Sequence, residues 1–523
     1  MDRYRHFDPT ERFDVIVIGS GLGGLTAAGI LAQQGQKVLV LDRHTVAGGN
    51  ATVFRRTGYT FEIGVHYVGD GGPNGVIRRT LRLAGADHEF LPMDPDGFDT
   101  LCLPNGDRFS YPRGVDAFEA RLLEAFPREG KGVRLWCRFL RETWNLMLAN
   151  FKPIKLLAAL PFSRFAARHL NSTLDQVLDA CTADLNLRTV LIGPHLDHGV
   201  APGKVSALLH AGLVMSYLVD GAWYPKGGGQ ALSDTLVARI EAAQGKVLLL
   251  ATAERIVVEG GRAAGVVFHN KHVGRHEVRA RAVISNADLK QTYARLLPPE
   301  AVPPEQREKV ERYQMAGALA VLYLGVKREA LGAQGTRNTN WWVFPSTDVA
   351  REYRDAAEGR FAEDPSALIA ITSNKDPSQR IAPDGVANLQ VMALAPGDRS
   401  AWGASSDDYR KAPAYLEAKR RFRDTMVRQA SRVFPELARG IVFEEVATPV
   451  THSRYTLSSN GTAFGIAATP SQFGRARPSA RTAIPGLFLA GASMRSTHGV
   501  YGAVLSGRAA ARAAIFELGE RKR

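Results

Sequence analysis

VIVIGSGLGGLTAAGILA, residues 15–32, admits two readings. Its apolar content suits a membrane segment, whereas the clustered Gly19, Gly21, Gly23 and Gly24 suit a phosphate-binding turn. The flanking residues decide between them. FDVIVI (13–18) is a short apolar run rich in β-branched residues, as a buried parallel strand requires. LTAAGILAQQG then places apolar residues at helical spacing and stops at Gly35. KVLVLD (37–42) reads as a second strand, ending in Asp42 eighteen positions after Gly24.

Each part has a physical task in holding a dinucleotide. Gly19 permits the tight turn, Gly21 lets the backbone approach a pyrophosphate, and Gly24 lets helix and strand pack closely. Leu22 and Gly23 open the helix, whose free N–H groups face the phosphates. The Asp42 carboxylate can accept hydrogen bonds from a ribose diol. A lone GxGxxG is weak evidence; a strand, glycines, helix, second strand and terminal acid in register are strong.

RHTVAGGNAT (43–52) follows, with Arg43, the doublet Gly48-Gly49 and Asn50. It resembles the second dinucleotide signature of flavoproteins in the glutathione-reductase-like superfamily. That resemblance implies FAD rather than NAD, with the doublet near the pyrophosphate and flavin. At the other end, IPGLFLAGASMRSTHGVYGAVLSGRAAARAAI (484–515) supplies an apolar strand and a glycine-rich loop with Gly491, Ala492, His498, Gly499 and Val500. A helix predicted from about Gly502 would aim its N-terminal dipole at the flavin pyrimidine edge.

With these segments assembled, the chain resembles the family of phytoene desaturases, carotenoid isomerases and retinol saturases nearly end to end. GYTFEIGVHYVGD (58–70) is similar to the family's flavin-entry segment. Residues 223–268 resemble its PxGG helix and hairpin, and the resemblance places the backbone near Ala253 against adenine. VISNAD (283–288) completes the set. One departure is informative. Amine oxidases carry an Asp after the glycine of the C-terminal strand, whereas here Gly491 is followed by Ala492, as is common in the desaturase branch. No ribityl-binding carboxylate carries over.

The resemblance implies an α/β protein: a Rossmann-like FAD-binding domain of glutathione-reductase type with an inserted α+β substrate domain. The FAD domain is expected to be discontinuous, over 1–75, 223–295 and 480–523. Residues 76–222 read as a mostly helical insertion. Residues 296–479 hold apolar runs such as GALAVLYLGV, ALIAITS, NLQVMALA and IVFEEVATPV, with a long helix at about 411–433 before the last. Strands with one amphipathic helix suggest an antiparallel sheet covered on one face.

The formal charge of +14 favours anionic partners, yet it is scattered arginine with no basic run, which argues against nucleic acid. The three cysteines, Cys102, Cys137 and Cys181, form no CxxC pair, so neither a disulfide framework nor a zinc site is expected. The opening MDRYRHFDPTER lacks a signal-peptide core, and no window spans a bilayer. A cytoplasmic protein is the expectation, with peripheral membrane contact through 134–170. There Arg134, Arg138 and Arg141 share one helical face, and Trp136, Leu140, Trp144, Met147 and Phe151 share the opposite one.

The flavin would carry the redox step, and a single dinucleotide fingerprint leaves no second domain for NAD(P)H. Electrons would therefore pass to or from an external partner such as oxygen or a quinone. The implied substrate is a hydrophobic isoprenoid polyene, a carotenoid or retinoid, altered at C=C or C–C bonds in an apolar tunnel. His66 and Glu62 are the candidate acid–base groups, the alternatives being a flavin or backbone contact for His66 and a bond to the sheet backbone for Glu62, while His498 reads as a flavin contact. His195, Asp197 and His198 in GPHLDHG (193–199) read as a polar loop rather than a metal site. Two other readings stay open: a flavin oxidase of an amine or another hydrophobic compound, and a non-catalytic lipid-binding relative.

Overall fold

The computed structural model describes residue 8 and residues 10–149, 159–406 and 408–520. β1 (Phe13–Ile18) is buried on both faces, as its unbroken apolar run demands. α1 (Leu22–Gln33) returns antiparallel to it, with nearly every residue buried, and β2 (Val38–Leu41) pairs parallel to β1 with Val15 opposite Val38. Lys246–Leu248 adds beyond β2, the second half of Gly274–Ser285 lies on the other side of β1, and Leu487–Leu489 closes the edge. All these pairings are parallel. The strand Gly274–Ser285 continues outward into an antiparallel meander with Arg262–Asn270 and Ala251–Glu259. The C-terminal helix, Gly499–Glu520, packs along α1.

The second sheet has seven strands, ordered Ile441–Ala447, Ala318–Lys327, Val386–Ala395, Ala367–Ile371, Asn340–Val343, Asp99–Cys102 and Arg108–Tyr111. The four apolar runs read as strands are all present, and the long helix spans Pro413–Ser431. The difference lies at the far edge. Asp99–Cys102 and Arg108–Tyr111 come from the segment read as mostly helical and complete this sheet, joined by a parallel pairing of Asn340 with Asp99. The sheet therefore crosses the expected boundary between 76–222 and 296–479. These strands are only four residues long and mix polar with apolar positions, so they carry little periodic signal alone.

The stretch 134–170 also differs from its reading as an interfacial helix. Its helix, Gly130–Ala149, turns its apolar face inward onto Ala207–Asp220, and Trp136 and Leu140 are fully buried. Trp144 and Met147 line an internal cavity. Two of the arginines find local acids: Arg138 pairs with Glu142 at 2.6 Å, and Arg141 with Asp116 at 2.5 Å and Glu119 at 2.7 Å. An amphipathic pattern records only that one face leaves water, and here protein supplies the apolar phase. Phe151 lies outside the described residues. Among the described residues no helix is long and apolar enough to cross a membrane. Trp136→Ala is expected to destabilise the protein by about 3–5 kcal/mol in urea denaturation; a change below about 1 kcal/mol would contradict this packing.

Candidate functional site

The C-terminal ends of the parallel strands open onto one cavity of about 2320 Å³. At its nucleotide end, the turn before α1 and the glycine doublet lie against each other through a bridge between Gly21 and Gly48. A Cβ on Gly49 would stand 3.0 Å from the Gly21 Cα, and Gly48 sits at φ +130° with no room for a side chain. No side chain caps α1 and no acid occupies its first turn. Its positive end therefore faces the cavity uncompensated, which suits an anionic pyrophosphate.

Asp42 ends β2 at the cavity wall. Its Oδ2 accepts from the Ser20 N–H at 2.7 Å and hydroxyl at 2.5 Å, and its Oδ1 from the His44 N–H. Gly19, Gly21, Leu22, Gly23, Asp42, Arg43, Gly48, Gly49, Asn50, Ala253, Gly491, Ala492, His498, Gly499 and Val500 all line this cavity. Gly24 does not; it is buried where helix meets turn, and a Cβ there would fall 2.1 Å from the Gly19 carbonyl oxygen. Arg43 reaches out to the Arg454 carbonyl at 2.9 Å, and the Asn50 Oδ1 accepts from the His452 Nε2 at 2.9 Å, tying the nucleotide end to Pro449–Thr456. The C-terminal helix starts at Gly499, three residues before its predicted start.

Two residues here escaped the sequence reading. Asn286, in VISNAD, places its amide against the first glycine turn, donating to the Gly19 carbonyl at 3.3 Å while its buried Oδ1 has no partner. Arg477 is 1 % exposed and spans the 491–495 loop, donating to the carbonyls of Met494 (2.9 Å), Ala492 (2.9 Å) and Gln472 (3.4 Å). The VISNAD resemblance gives Asn286 no role of its own, and Arg477 belongs to no motif; their partners lie on segments brought together by the sheet.

The two candidate acid–base residues part company. Glu62 is buried behind the cavity rather than in it. Its Oε1 accepts from the Gly229 N–H at 3.0 Å and the Tyr224 hydroxyl at 3.1 Å, so it ties strand Tyr59–Glu62 to helix Gly228–Ala242. Burial pushes it up to about 8, and it borders a smaller cavity beside Tyr224 and Gln230 rather than the one that His66 lines. His66 does line the cavity, with Nδ1 unpartnered. Burial, and then the Lys375 cation, push it down to about 3, so the ring is neutral and carries no proton to donate as imidazolium. Burial holds His498 down at about 3 in the same way.

Away from the nucleotide end the cavity is apolar, lined by Trp144, Met147, Leu213, Leu319, Met392 and Phe464. Tyr67 and Tyr217 stack in direct contact there, with centroids 4.4 Å apart and planes 10° from parallel. Such a pair leaves no gap between the rings for a ligand. The loop read as polar, 193–199, delivers Asp197 to this wall, while His195 and His198 turn away into buried contacts with Tyr353 and His210. Among the described residues no cluster of metal ligands forms.

This cradle matches known proteins along nearly its whole length. Residues 22–515 match the family model of flavin containing amine oxidoreductases. The chain is similar to an all-trans-retinol 13,14-reductase of Macaca fascicularis, 30% identical over 94% of this chain and 84% of that one. It is similar to a prolycopene isomerase of an Oncidium hybrid cultivar, 29% identical over 99% of this chain and 86% of the other. Among solved structures it superposes on an oxidoreductase from Methanosarcina mazei with a TM-score of 0.65 at 17% identity, covering 95% of this chain and 99% of that one.

Proposed function

The chain belongs to the flavin containing amine oxidoreductase family and is an FAD-dependent oxidoreductase, and from that premise we propose that it acts on the C=C or C–C bonds of a hydrophobic isoprenoid polyene. The observation that carries this reading is the apolar half of the cavity, long, aromatic and aliphatic, opening directly beside the glycine cradle. The names of the retinol reductase and prolycopene isomerase relatives support the same substrate class. The contact-stacked Tyr67–Tyr217 pair speaks against an aromatic cage for an amine.

The residues present fit FAD. The Gly21–Gly48–Gly49 cradle excludes side chains where a pyrophosphate would lie, and the orphaned Asn286 Oδ1 awaits a donor. Gly19, Gly21, Leu22 and Gly23 would hold the phosphates, with Asp42 at the ribose and Ala253 at the adenine. Gly48, Gly49, Asn50, Gly491, Ala492, His498, Gly499 and Val500 would line the flavin. When bound, FAD supplies hydride exchange at N5. The protein orients the polyene, keeps water from the apolar chamber and stabilises charge through the N-terminus of Gly499–Glu520. Oxygen or a quinone is the external electron partner in this proposal. Peripheral membrane contact from the cytoplasmic side also belongs to it, not through the buried aromatic face of Gly130–Ala149 but through the exposed Leu148, Phe162 and Leu170 of the same 134–170 stretch.

The deciding experiment incubates FAD-loaded protein anaerobically with phytoene, lycopene isomers and all-trans-retinol. Bleaching of oxidised flavin by phytoene, saturation of retinol by dithionite-reduced protein, or interconversion of lycopene isomers would each support the reading. Turnover of an amine alone would replace it. Asp42→Ala is expected to weaken FAD binding roughly 10-fold or more, from loss of hydrogen bonds to a charged group worth about 1.5–3 kcal/mol each. Titration of apoprotein with FAD measures it, and an unchanged Kd would remove Asp42 from the ribose site.

A further inference from the structure

Four chemistry-bearing side chains from separate parts of the chain meet at the wall of the apolar chamber. Tyr67 follows the flavin-entry segment, and Asp99 starts the strand Asp99–Cys102. Asp197 ends a short turn at His195–Asp197, and Lys375 ends the turn Thr372–Lys375 beyond a strand of the second sheet. The Tyr67 hydroxyl bridges the acids, 2.8 Å from Asp197 Oδ2 and 3.1 Å from Asp99 Oδ2. Asn340 donates to Asp99 at 2.9 Å and accepts from the Lys375 ammonium at 2.6 Å, and Lys375 also donates to the His66 carbonyl. Asp99 and Lys375 are 1 % and 2 % exposed, whereas Asp197 and Tyr67 line the cavity.

Such a set is costly to bury, and nothing in the packing of the sheet demands two carboxylates side by side. A saturated C=C bond needs a proton as well as a hydride, an isomerised one only a proton that is given and taken back, and the polyene offers no acidic group of its own. His66 is neutral and Glu62 lies elsewhere. We infer that Asp197 is the acid that delivers this proton to a polyene carbon, with Tyr67, Asp99 and Lys375 as the positioning residues that hold it ready. The inference rests on the polyene reading.

The step balances simply. The Asp197 O–H bond breaks and a C–H bond forms on one carbon of the double bond. In saturation a hydride reaches the neighbouring carbon from reduced FAD, which a two-electron reductant outside the protein refills. In isomerisation no hydride is needed, and the proton returns to Asp197 after rotation about the weakened bond. The carboxylate left behind accepts from Tyr67 and is stabilised by the Lys375 charge beyond it. Burial, and then repulsion from Asp99, push Asp197 up to about 7, so it holds a proton near neutrality. Burial pushes Asp99 up to about 6 and Lys375 down to about 7.

The groups facing Asp197 set the pH sign. They are Asp99, Tyr67, Lys375, Tyr353 from helix Val349–Ala357, Tyr217 from Ala207–Asp220, and the neutral His498 near its backbone. Lys375 is the cation among them. The acid form does the work, so activity falls as pH rises through the Asp197 pKa. Removing the Lys375 charge raises that pKa and moves the limb to higher pH.

The test uses FAD-loaded full-length protein, with all-trans-retinol under dithionite or lycopene isomers without it, in detergent micelles. Asp197→Asn is expected to keep the flavin spectrum and the KM for the polyene while kcat falls roughly 100-fold or more. Lys375→Met is expected to shift the basic limb upward, which a merely structural role would not do. Without substrate, the wild type minus Asp197→Asn infrared difference spectrum should show, at neutral pH, the C=O band of one protonated buried carboxyl, the band of Glu62 being common to both proteins. Normal kcat in Asp197→Asn, or a difference spectrum with no such band, overturns the inference while leaving the polyene reading intact. Oxidation of an amine by the wild type, with only KM raised in Asp197→Asn, would overturn both, by making Asp197 an ion-pair partner.

Discussion

Gly24→Ala is expected to give a protein that takes up no flavin, although residue 24 does not border the cavity. The added Cβ would stand 2.1 Å from the Gly19 carbonyl oxygen and 3.2 Å from the Asn286 Cβ. The first clash is with backbone, so no side-chain rotation relieves it. Either α1 lifts off the turn, or the turn opens and loses the Gly21–Gly48 contact. Both moves misplace the uncapped helix start by more than a pyrophosphate site tolerates. Overpacking of this kind costs about 1–3 kcal/mol, so the fold should survive with a lower Tm while the site does not. Flavin absorbance after FAD addition and desalting, beside a thermal melt, reads both quantities. Full flavin loading with an unchanged melt would show that the contact is slack.

Arg477→Met is expected to have the second largest effect. The guanidinium is buried with carbonyl oxygens as its hydrogen-bond partners, and these are what hold the 491–495 loop in its curved path beside the cavity. Methionine keeps much of the stem volume but leaves those acceptors unpaired. An orphaned buried polar group costs about 1–3 kcal/mol, so a stability loss of about 3 kcal/mol or more is expected, with weakened FAD binding because Gly491 and Ala492 lose their anchor. Arg477→Lys should recover little, since an ammonium cannot span acceptors placed for a planar fork. Chemical denaturation and FAD titration measure the two effects. A variant with native stability would mean that the loop holds its shape without the clamp.

How much was legible in the sequence follows from how far apart the interacting residues lie. The β1–α1–β2 unit was fully readable because its logic closes within 30 residues: apolar run, glycines, helix, terminal acid. The glycine doublet and the C-terminal loop were readable through resemblance. Arg477 and Asn286 were not, because a buried arginine and an asparagine in a strand extension look ordinary until the segments they bind are in place. Asp197 was visible but dismissed with its histidine neighbours. Its meaning depends on Tyr67, 130 positions away. Glu62 shows how two nearby candidates separate: it closes strand Tyr59–Glu62 and bonds the helix behind it, whereas His66 lies beyond the strand's end.

The parallel sheet also governs when this protein can first become itself. Its strands come from residues 13–18, 38–41, 246–248, 274–285 and 487–489, and its covering helix from 499–520. A chain emerging from the ribosome has its first two strands long before the partners that flank them. Its apolar β1 and α1 therefore wait, incompletely covered, through most of synthesis. Closure across several hundred residues makes for slow folding. The cofactor, binding only the finished arrangement, draws that late equilibrium toward the native state. Supply of FAD during expression thus bears on yield and solubility, not on activity alone.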